Sequence, residues 1–122
     1  MDSAWAYVGV TLFGTVAGQL LLKTAVARHG AIPSGVGAIV SYLGRALADP
    51  LILGSFALAF ISALAWIAAT SRLSLSKAYP FMSLAFVVTT VLSAVLLHES
   101  VSARTWIGVG VVTVGLILVA RG

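Results

Sequence analysis

Residues 78–110 read AYPFMSLAFVVTTVLSAVLLHESVSARTWIGVG, and this stretch decides the fold. Residues 78–97 carry no charge, and a helix of that length crosses the roughly 30 Å hydrocarbon layer of a bilayer. The polar segment 98–102 follows, and Trp106 then opens another apolar run. Because so short a segment joins two apolar runs, we predict two antiparallel transmembrane helices.

Composition places the whole chain in lipid. Of its 122 residues, 61% are hydrophobic and only 8% are charged, and the mean hydropathy is +1.14. A soluble domain of this size needs a charged surface, which this chain cannot build. The formal charge of +4 comes from basic residues at the ends of apolar segments. That placement indicates contact with lipid headgroups rather than with nucleic acid.

The apolar runs define the fold class. We predict an all-α membrane protein with four transmembrane helices in a small bundle. The chain 1–122 is expected to form a single domain, with spans at about 4–27, 50–71, 77–97 and 104–121. The start of the chain lacks the basic lead of a cleaved signal, so the first helix is expected to remain. Basic residues are nearly balanced between the two sides, and the orientation is not fixed.

The long link at 28–49 has a helical pattern of its own. Pro33 and Ser34 are typical of a helix start. Apolar residues then recur at helical spacing, at Val36, Ile39, Val40, Leu43 and Leu47. This predicts a short amphipathic helix lying in the membrane interface between helices 1 and 2. An ordered loop is the alternative.

Helix 1 carries a polar stripe. Its members recur at helical spacing, so we expect this side of the helix to line the bundle interior: Thr11, Thr15, Gly18, Gln19 and Lys23. Lys23 lies near the helix end, where its side chain could instead reach the interface. Gly14 and Gly18 allow close helix packing, either within the bundle or in a dimer.

Charged residues at helix ends are further candidates. Lys77 precedes helix 3, where free backbone N–H groups and a lysine would suit an anion; an exposed flank contacting lipid phosphates is the equal alternative. Tyr79 and Pro80 follow it. Glu99 is expected to pair with a cation on its side of the membrane or to serve the start of helix 4, where Ser102 is a candidate N-cap. A structural role is the preferred reading of Glu99.

Several chemistries have no residues to carry them. The chain has no Cys, no nucleophile elbow, no phosphate-binding glycine loop and no metal-ligand cluster. Its three acidic residues, Asp2, Asp49 and Glu99, all lie outside the predicted spans. We therefore expect no enzyme, no cofactor and no metal, and a pocket into which cations but no acids reach. Such a pocket suits a phosphate headgroup.

Five blocks of the sequence carry a resemblance to known proteins: residues 18–23, Trp66, residues 78–84, residues 98–102 and residues 106–109. Together they resemble the small four-helix members of the drug/metabolite transporter superfamily, of the EamA and small multidrug resistance type. Within it, the chain is most similar to the branch of aminoarabinose–undecaprenyl-phosphate flippase subunits of Gram-negative bacteria.

This resemblance implies a homodimer or heterodimer that moves a lipid-linked sugar across the bacterial inner membrane. The headgroup would cross along the polar stripe while the tail stays in lipid. We expect Gln19, Lys23 and Lys77 to contact the headgroup, although Lys77 is not carried over from the family. Tyr79 and Pro80 would shape the entrance. The full set of expected substrate-binding residues is Gln19, Lys23, Lys77, Tyr79, Pro80, Trp66 and Glu99.

Two other functions remain open. One is export of cationic compounds, as in small multidrug resistance proteins, although those rely on a glutamate in helix 1, where this chain has Gln19. The other is a non-transporting membrane subunit that positions a glycosyltransferase.

Overall fold

The computed structural model describes residues 3–122, which form helices and turns with no strand among them. Asp2 lies outside the described residues. Four segments are long and apolar enough to cross a membrane, at Ser3–Ala27, Pro50–Thr70, Leu75–Leu96 and Ala103–Arg121. The predicted four-span fold is therefore confirmed. The helices are α1 (Ser3–Ala27), α2 (Val36–Leu47), α3 (Pro50–Thr70), α4 (Leu75–Ala78), α5 (Ser83–Leu96) and α6 (Ala103–Arg121), with a 3₁₀ turn at Tyr79–Met82 between α4 and α5.

The closest packing in the bundle joins α1 to α3. Gly14 makes it possible, because a Cβ at that position would lie 2.0 Å from Ser62 Oγ and 3.3 Å from the carbonyl oxygen of Leu58. Gly18 meets the carbonyl oxygen of Ser55 in the same way, at 3.4 Å. Small residues at this spacing let two backbones approach in lipid. Of the two predicted roles for these glycines, the structure shows packing within the bundle.

The link after α1 contains the predicted short helix, α2, but it begins later than expected. Gly35 has φ 96° and stands before the first helical residue, so the helix starts at Val36 rather than at Pro33 and Ser34. Tyr42 and Ala46 face the bundle and are buried. The Tyr42 hydroxyl donates to the carbonyl oxygen of Gly30 at 2.6 Å, which ties α2 to the end of α1.

The rest of α2 is amphipathic, as its sequence predicts. An apolar stripe is exposed, away from the face that packs on the bundle, and consists of Val36, Val40, Leu43 and Leu47. Ser41, Gly44 and Arg45 lie on a third, more polar side. A helix with one docked, one apolar and one polar side suits the boundary between lipid and water.

The third span is interrupted near its start, at Pro80. Pro80 has no N–H to donate and lies within the 3₁₀ turn that separates α4 from α5. Ser83 Oγ donates to the carbonyl oxygen of Pro80 at 2.6 Å, and α5 begins there. The ring of Phe81 packs edge-on against Trp5 of α1, with centroids 4.9 Å apart. This break places Tyr79 beside α3.

The turn between α5 and α6 is well defined. His98 takes up a left-handed conformation with φ 55°, a region that histidine enters more readily than most residues. The N–H of Glu99 then donates to the carbonyl oxygen of Ser93 at 3.2 Å. Ser102 Oγ accepts from the N–H of Thr105 at 3.2 Å, which confirms the predicted N-cap of α6. These contacts hold Glu99 at the end of α5.

Candidate functional site: a polar groove along α1

A first cavity, of about 420 Å³, opens between α1 and α3. We call it the α1–α3 cavity. Its α1 side is formed by the polar stripe, and Trp66 and Tyr79 stand at its edge. The two rings meet edge-on with centroids 6.2 Å apart. Such an aromatic pair offers an apolar surface with polar atoms at its rim. The residues lining it are Thr11, Gly14, Thr15, Gly18, Gln19, Leu22, Ser55, Phe56, Ala59, Ser62, Ala63, Trp66, Tyr79 and Met82.

A second cavity, of about 470 Å³, opens between α1 and α5, and we call it the α1–α5 cavity. Lys23 and Glu99 both line it, together with hydroxyl groups on α5. Thr15 and Gln19 line both cavities, so the two meet along α1 and form one groove. The lining residues are Thr15, Gln19, Leu20, Lys23, Ala85, Phe86, Thr89, Thr90, Ser93, Leu97 and Glu99.

The middle of the groove offers unused hydrogen-bonding groups. Neither Thr15 nor Gln19 makes a side-chain hydrogen bond within residues 3–122. By contrast, Thr11 Oγ1 donates to the carbonyl oxygen of Tyr7 at 2.9 Å. A buried or lipid-facing amide without a partner is costly, so such groups in a membrane span usually serve a ligand or another subunit. The amide of Gln19 is the largest such group in the groove.

Ser62 adds a buried hydroxyl to the wall of the α1–α3 cavity. Its Oγ makes no hydrogen bond in the described part of the chain, although the residue is only 5% exposed. Other helical hydroxyls, such as those of Ser55 and Thr70, donate to carbonyl groups of their own helices. The Ser62 oxygen instead occupies the space that Gly14 leaves open.

One end of the groove carries opposite charges. Lys23 Nζ lies 4.0 Å from Glu99 Oε2, a separation too long for a hydrogen bond. Their side chains are 60% and 43% exposed. Of the cations that could have paired with Glu99, the structure brings Lys23 close and not Arg28 or Arg104 within the described residues. Exposed pairs of this kind contribute little to stability.

A second charged cluster lies beside this end and holds the fold together. Asp49 Oδ1 and Oδ2 accept from Arg28 Nη2 at 2.9 and 2.7 Å, and Oδ2 lies 2.8 Å from His29 Nε2. Oδ1 also accepts from the N–H of Leu51, which caps α3. The hydrogen bond from His29 and the one from Leu51, with the charges nearby, lower the pKa of Asp49. Asp49 therefore stays ionised and joins the ends of α1 and α3.

The structure brings most of the predicted site residues into the groove. Gln19, Lys23, Trp66, Tyr79 and Glu99 all line one cavity or the other. Of the polar stripe of helix 1, which was expected to line the interior, Thr11 and Gly18 are buried and Thr15 is half-buried, whereas Gln19 and Lys23 are exposed at the open groove. Whether these residues contact a substrate stays a prediction.

Two predicted residues are placed differently. Lys77 and Pro80 line neither of the two cavities. The expected anion site at Lys77 needed free backbone donors, but the N–H of Lys77 donates to the carbonyl oxygen of Ser74 at 3.2 Å. The helix that contains it is also only four residues long. The structure therefore shows Lys77 as an exposed residue ahead of the 3₁₀ turn, and not beside Lys23.

A correction also applies to the charge of the pocket. The sequence led us to expect cations without acids, but Glu99 lines the α1–α5 cavity with Lys23. The reason is the turn at His98, which directs the chain back towards α1; the sequence pattern does not reveal that conformation. The groove thus carries both signs of charge at one end.

The sequence analysis also did not identify Asp49 as the residue that joins the ends of α1 and α3. A signal was present, because aspartate directly before a proline and an apolar run is typical of a helix start. Its pairing with Arg28 and His29 spans 20 residues and more of chain and needed the fold. Within residues 3–122, no three metal-ligating side chains come together.

Comparisons with known proteins agree with this architecture. The EamA-like transporter family matches residues 37–121, more than half of the chain. No solved structure matches the chain.

The curated relatives are of the same size and share one description. The chain is 35% identical over 104 residues to the probable 4-amino-4-deoxy-L-arabinose-phosphoundecaprenol flippase subunit ArnE of Aeromonas hydrophila, covering 85% of each protein. It is 37% identical over 124 residues to the corresponding subunit ArnF of Enterobacter sp., covering 98% of this chain and 94% of the relative. For ArnE of Klebsiella pneumoniae, the identity is 33% over 120 residues and 95% of each chain.

These relatives are named as transport proteins rather than enzymes. Their matches cover 85 to 98% of this chain. Four apolar spans, a groove between them and the family match together identify the chain as a multi-pass membrane protein that belongs to the EamA-like transporter family.

Proposed function

We propose that this chain is one subunit of a flippase that moves a polyprenyl-phosphate-linked sugar across the bacterial inner membrane. The observation that carries the proposal is the groove along α1, which combines unpaired hydrogen-bonding groups with a lysine in an otherwise apolar bundle. The relatives are named for a substrate of this class, 4-amino-4-deoxy-L-arabinose-phosphoundecaprenol.

The groove suits an amphiphilic lipid. Lys23 offers a cation for the phosphate at one end. Gln19 and Thr15, further along α1, offer neutral partners for sugar hydroxyls as the headgroup moves. Trp66 and Tyr79 provide an aromatic edge against which a sugar can stack. The polyprenyl tail stays in the hydrocarbon layer, so only the polar headgroup needs a path.

The same proposal includes a partner subunit. A four-helix unit leaves both cavities open at the protein surface, and α6 exposes an apolar side with Ile107, Val111, Val114 and Leu118. A second small subunit, identical or related, would close the path. The relatives are each named as subunits, which supports a paired assembly. Lys77 and Pro80, on the side of Tyr79, remain proposed contacts for the far end of the path.

Reconstitution tests the proposal directly. The chain, alone and together with a related small subunit from the same genome, is placed in liposomes with labelled undecaprenyl-phosphate sugars. We expect wild-type protein to expose labelled lipid to the outer leaflet faster than empty liposomes do. Absence of any lipid movement in both preparations would contradict transport and would favour a scaffold that only positions another enzyme.

Export of cationic compounds is a second candidate, favoured by one observation. Glu99 is a carboxylate that lines the groove and could attract a cation. A growth assay with quaternary ammonium compounds separates the two functions. Protection that depends on Glu99 in cells would favour export, whereas the flippase proposal expects none.

A further inference from the structure

A third cavity, of about 400 Å³, also lies between α1 and α5, and we call it the apolar groove. Every residue that lines it is apolar, whereas the α1–α5 cavity carries hydroxyl, amide and charged groups. The small side chains of Ala17 and Ala85 leave space between the two helices, and Phe13 and Val88 are exposed at its edge. A concave surface of this composition suits a hydrocarbon chain.

The apolar groove and the α1–α5 cavity lie on opposite sides of one helix contact. At about 100° per residue, Phe13 and Ala17 lie about 120° and 160° around α1 from Gln19. Leu20 and Ala85 line both spaces, so the two meet at these side chains. An amphiphilic molecule bound across this contact would have its headgroup on one side and its chain on the other.

We infer that the apolar groove binds the first isoprene units of the polyprenyl chain whose headgroup enters the α1–α5 cavity. The inference rests on the proposed function and adds to it a binding site for the chain. Along α1 the groove runs from Leu12 to Leu20, which is about 12 Å at 1.5 Å per residue. Thr15 and Gln19 of the polar cavity lie at the same depth. A chain that leaves the headgroup at this depth therefore enters the groove directly, between α1 and α5.

Tethering, rather than hydrophobicity, makes the groove selective. Inside a bilayer an apolar surface gains little from burial, because lipid tails are as apolar as leucine. Phospholipid acyl chains therefore gain little in this groove over the rest of the apolar surface. A chain attached to a headgroup in the neighbouring cavity is held beside the groove at a high effective concentration. A polyprenyl chain also loses less conformational freedom than a saturated one, because each isoprene unit contains a rigid double bond.

Photocrosslinking tests where the chain lies. A photoreactive benzoylphenylalanine is placed at Val88 in the groove or at Val91, in protein that is held in nanodiscs with its partner subunit. Val91 is the matched control, because both valines lie on α5 and are 39% exposed but only Val88 lines the groove. The probe is undecaprenyl phosphate, which carries the chain and the phosphate without a sugar. We expect labelling at position 88 to exceed labelling at position 91 about tenfold.

Competition and a blocking variant test which chain is bound and where. Excess farnesyl phosphate should reduce the labelling at position 88 more than dodecyl phosphate, which has the same phosphate and a saturated chain of equal length. Ala17→Leu fills the groove from α1, and Ala17 lines neither of the two polar cavities. It should reduce the labelling about tenfold, as expected for overpacking. Ala57→Leu, at an exposed position of α3 outside all three cavities, should leave it unchanged.

Three results would overturn the inference. They are equal labelling at positions 88 and 91, labelling at position 88 that Ala17→Leu does not reduce, and equal competition by the two phosphates, which would indicate ordinary acyl-chain contact. The proposed function fails separately, if no labelled lipid moves in the reconstituted liposomes even though position 88 is labelled selectively.

Discussion

The ion pair of Arg28 with Asp49 and the ion pair of Lys23 with Glu99 lie at the same end of α1, about 8 Å apart along the helix. Asp49 makes hydrogen bonds with Arg28, His29 and the N–H of Leu51, and its side chain is 9% exposed. Glu99 makes one long contact and is 43% exposed. The Asp49 carboxylate has its hydrogen-bonding partners and joins two helices. The Glu99 carboxylate makes no hydrogen bond within the described residues and faces a cavity. Charge and proximity alone therefore do not distinguish the two ion pairs, whereas hydrogen bonding and exposure do.

The largest expected effect is a loss of thermal stability when Asp49 is replaced. Asp49→Ala removes the cap of α3 and both ionic contacts, so we expect the Tm in detergent to fall by about 5 °C or more. Asp49→Asn keeps an oxygen that can accept from the N–H of Leu51 but loses the charge. Its Tm should lie between those of Asp49→Ala and wild type. Thermal unfolding followed by circular dichroism measures both. Equal Tm values for Asp49→Ala and wild type would mean that the cluster does not stabilise the fold.

Lys23→Ala tests the ion pair of Lys23 with Glu99 by removing its cation. We expect lipid-phosphate binding to weaken about tenfold, because a charged hydrogen bond is lost, while the Tm changes little. The measurement is equilibrium binding of an undecaprenyl-phosphate sugar to protein in nanodiscs. Lys77→Ala is the comparison at the other side of the bundle. A larger loss in Lys77→Ala than in Lys23→Ala would move the phosphate site away from Glu99.

Acid should weaken the contribution of Asp49 to stability. The pKa of Asp49 is lowered in the folded state by His29, Leu51 and Arg28. A group with a lowered pKa adds stability that is present above its unfolded pKa and is lost as the pH falls through its folded pKa. The Tm of wild type should therefore fall as the pH drops below about 4. Asp49→Asn should lose that component of the decrease, as a pH series of melting curves would reveal. Identical pH profiles would contradict this role.

The smallest effect is expected for the stability of Glu99→Gln. Its partner is distant and both groups are exposed, so the Tm should stay within about 2 °C of wild type. This result matters because it separates binding from folding. A decrease in Tm as large as that of Asp49→Ala would show that both ion pairs stabilise the fold.

The fold could be predicted from the sequence because a chain that crosses the bilayer can adopt few structures other than helices. Uncharged runs set the four spans, the apolar spacing from Val36 to Leu47 indicates α2, and Ser102 is a typical N-cap. Helical spacing also put Gln19 and Lys23 on one side of α1, and both line the α1–α5 cavity. These features depend on local patterns, which a sequence shows directly.

The charges of the site could be predicted only in part. Glu99 was expected to pair with a cation, but its position in the cavity depends on the left-handed backbone at His98. Lys77 lines neither cavity, because the four-residue helix α4 places it ahead of the 3₁₀ turn, and its contact with an anion stays a prediction. The cluster around Asp49 needed the ends of α1 and α3 to meet. Each of these outcomes depends on geometry beyond one helix.

The notch at Gly14, filled by the Ser62 oxygen, lets α1 and α3 pack more closely than the other helices of the bundle. By comparison, α1 touches α5 sparingly, and the 3₁₀ turn at Tyr79–Met82 separates α5 from the short helix before it. The contact between α1 and α5 is therefore looser than the contact between α1 and α3. We expect any widening of the groove to come from a shift of α5 relative to α1, because separating α1 from α3 would disrupt the tightest packing in the bundle.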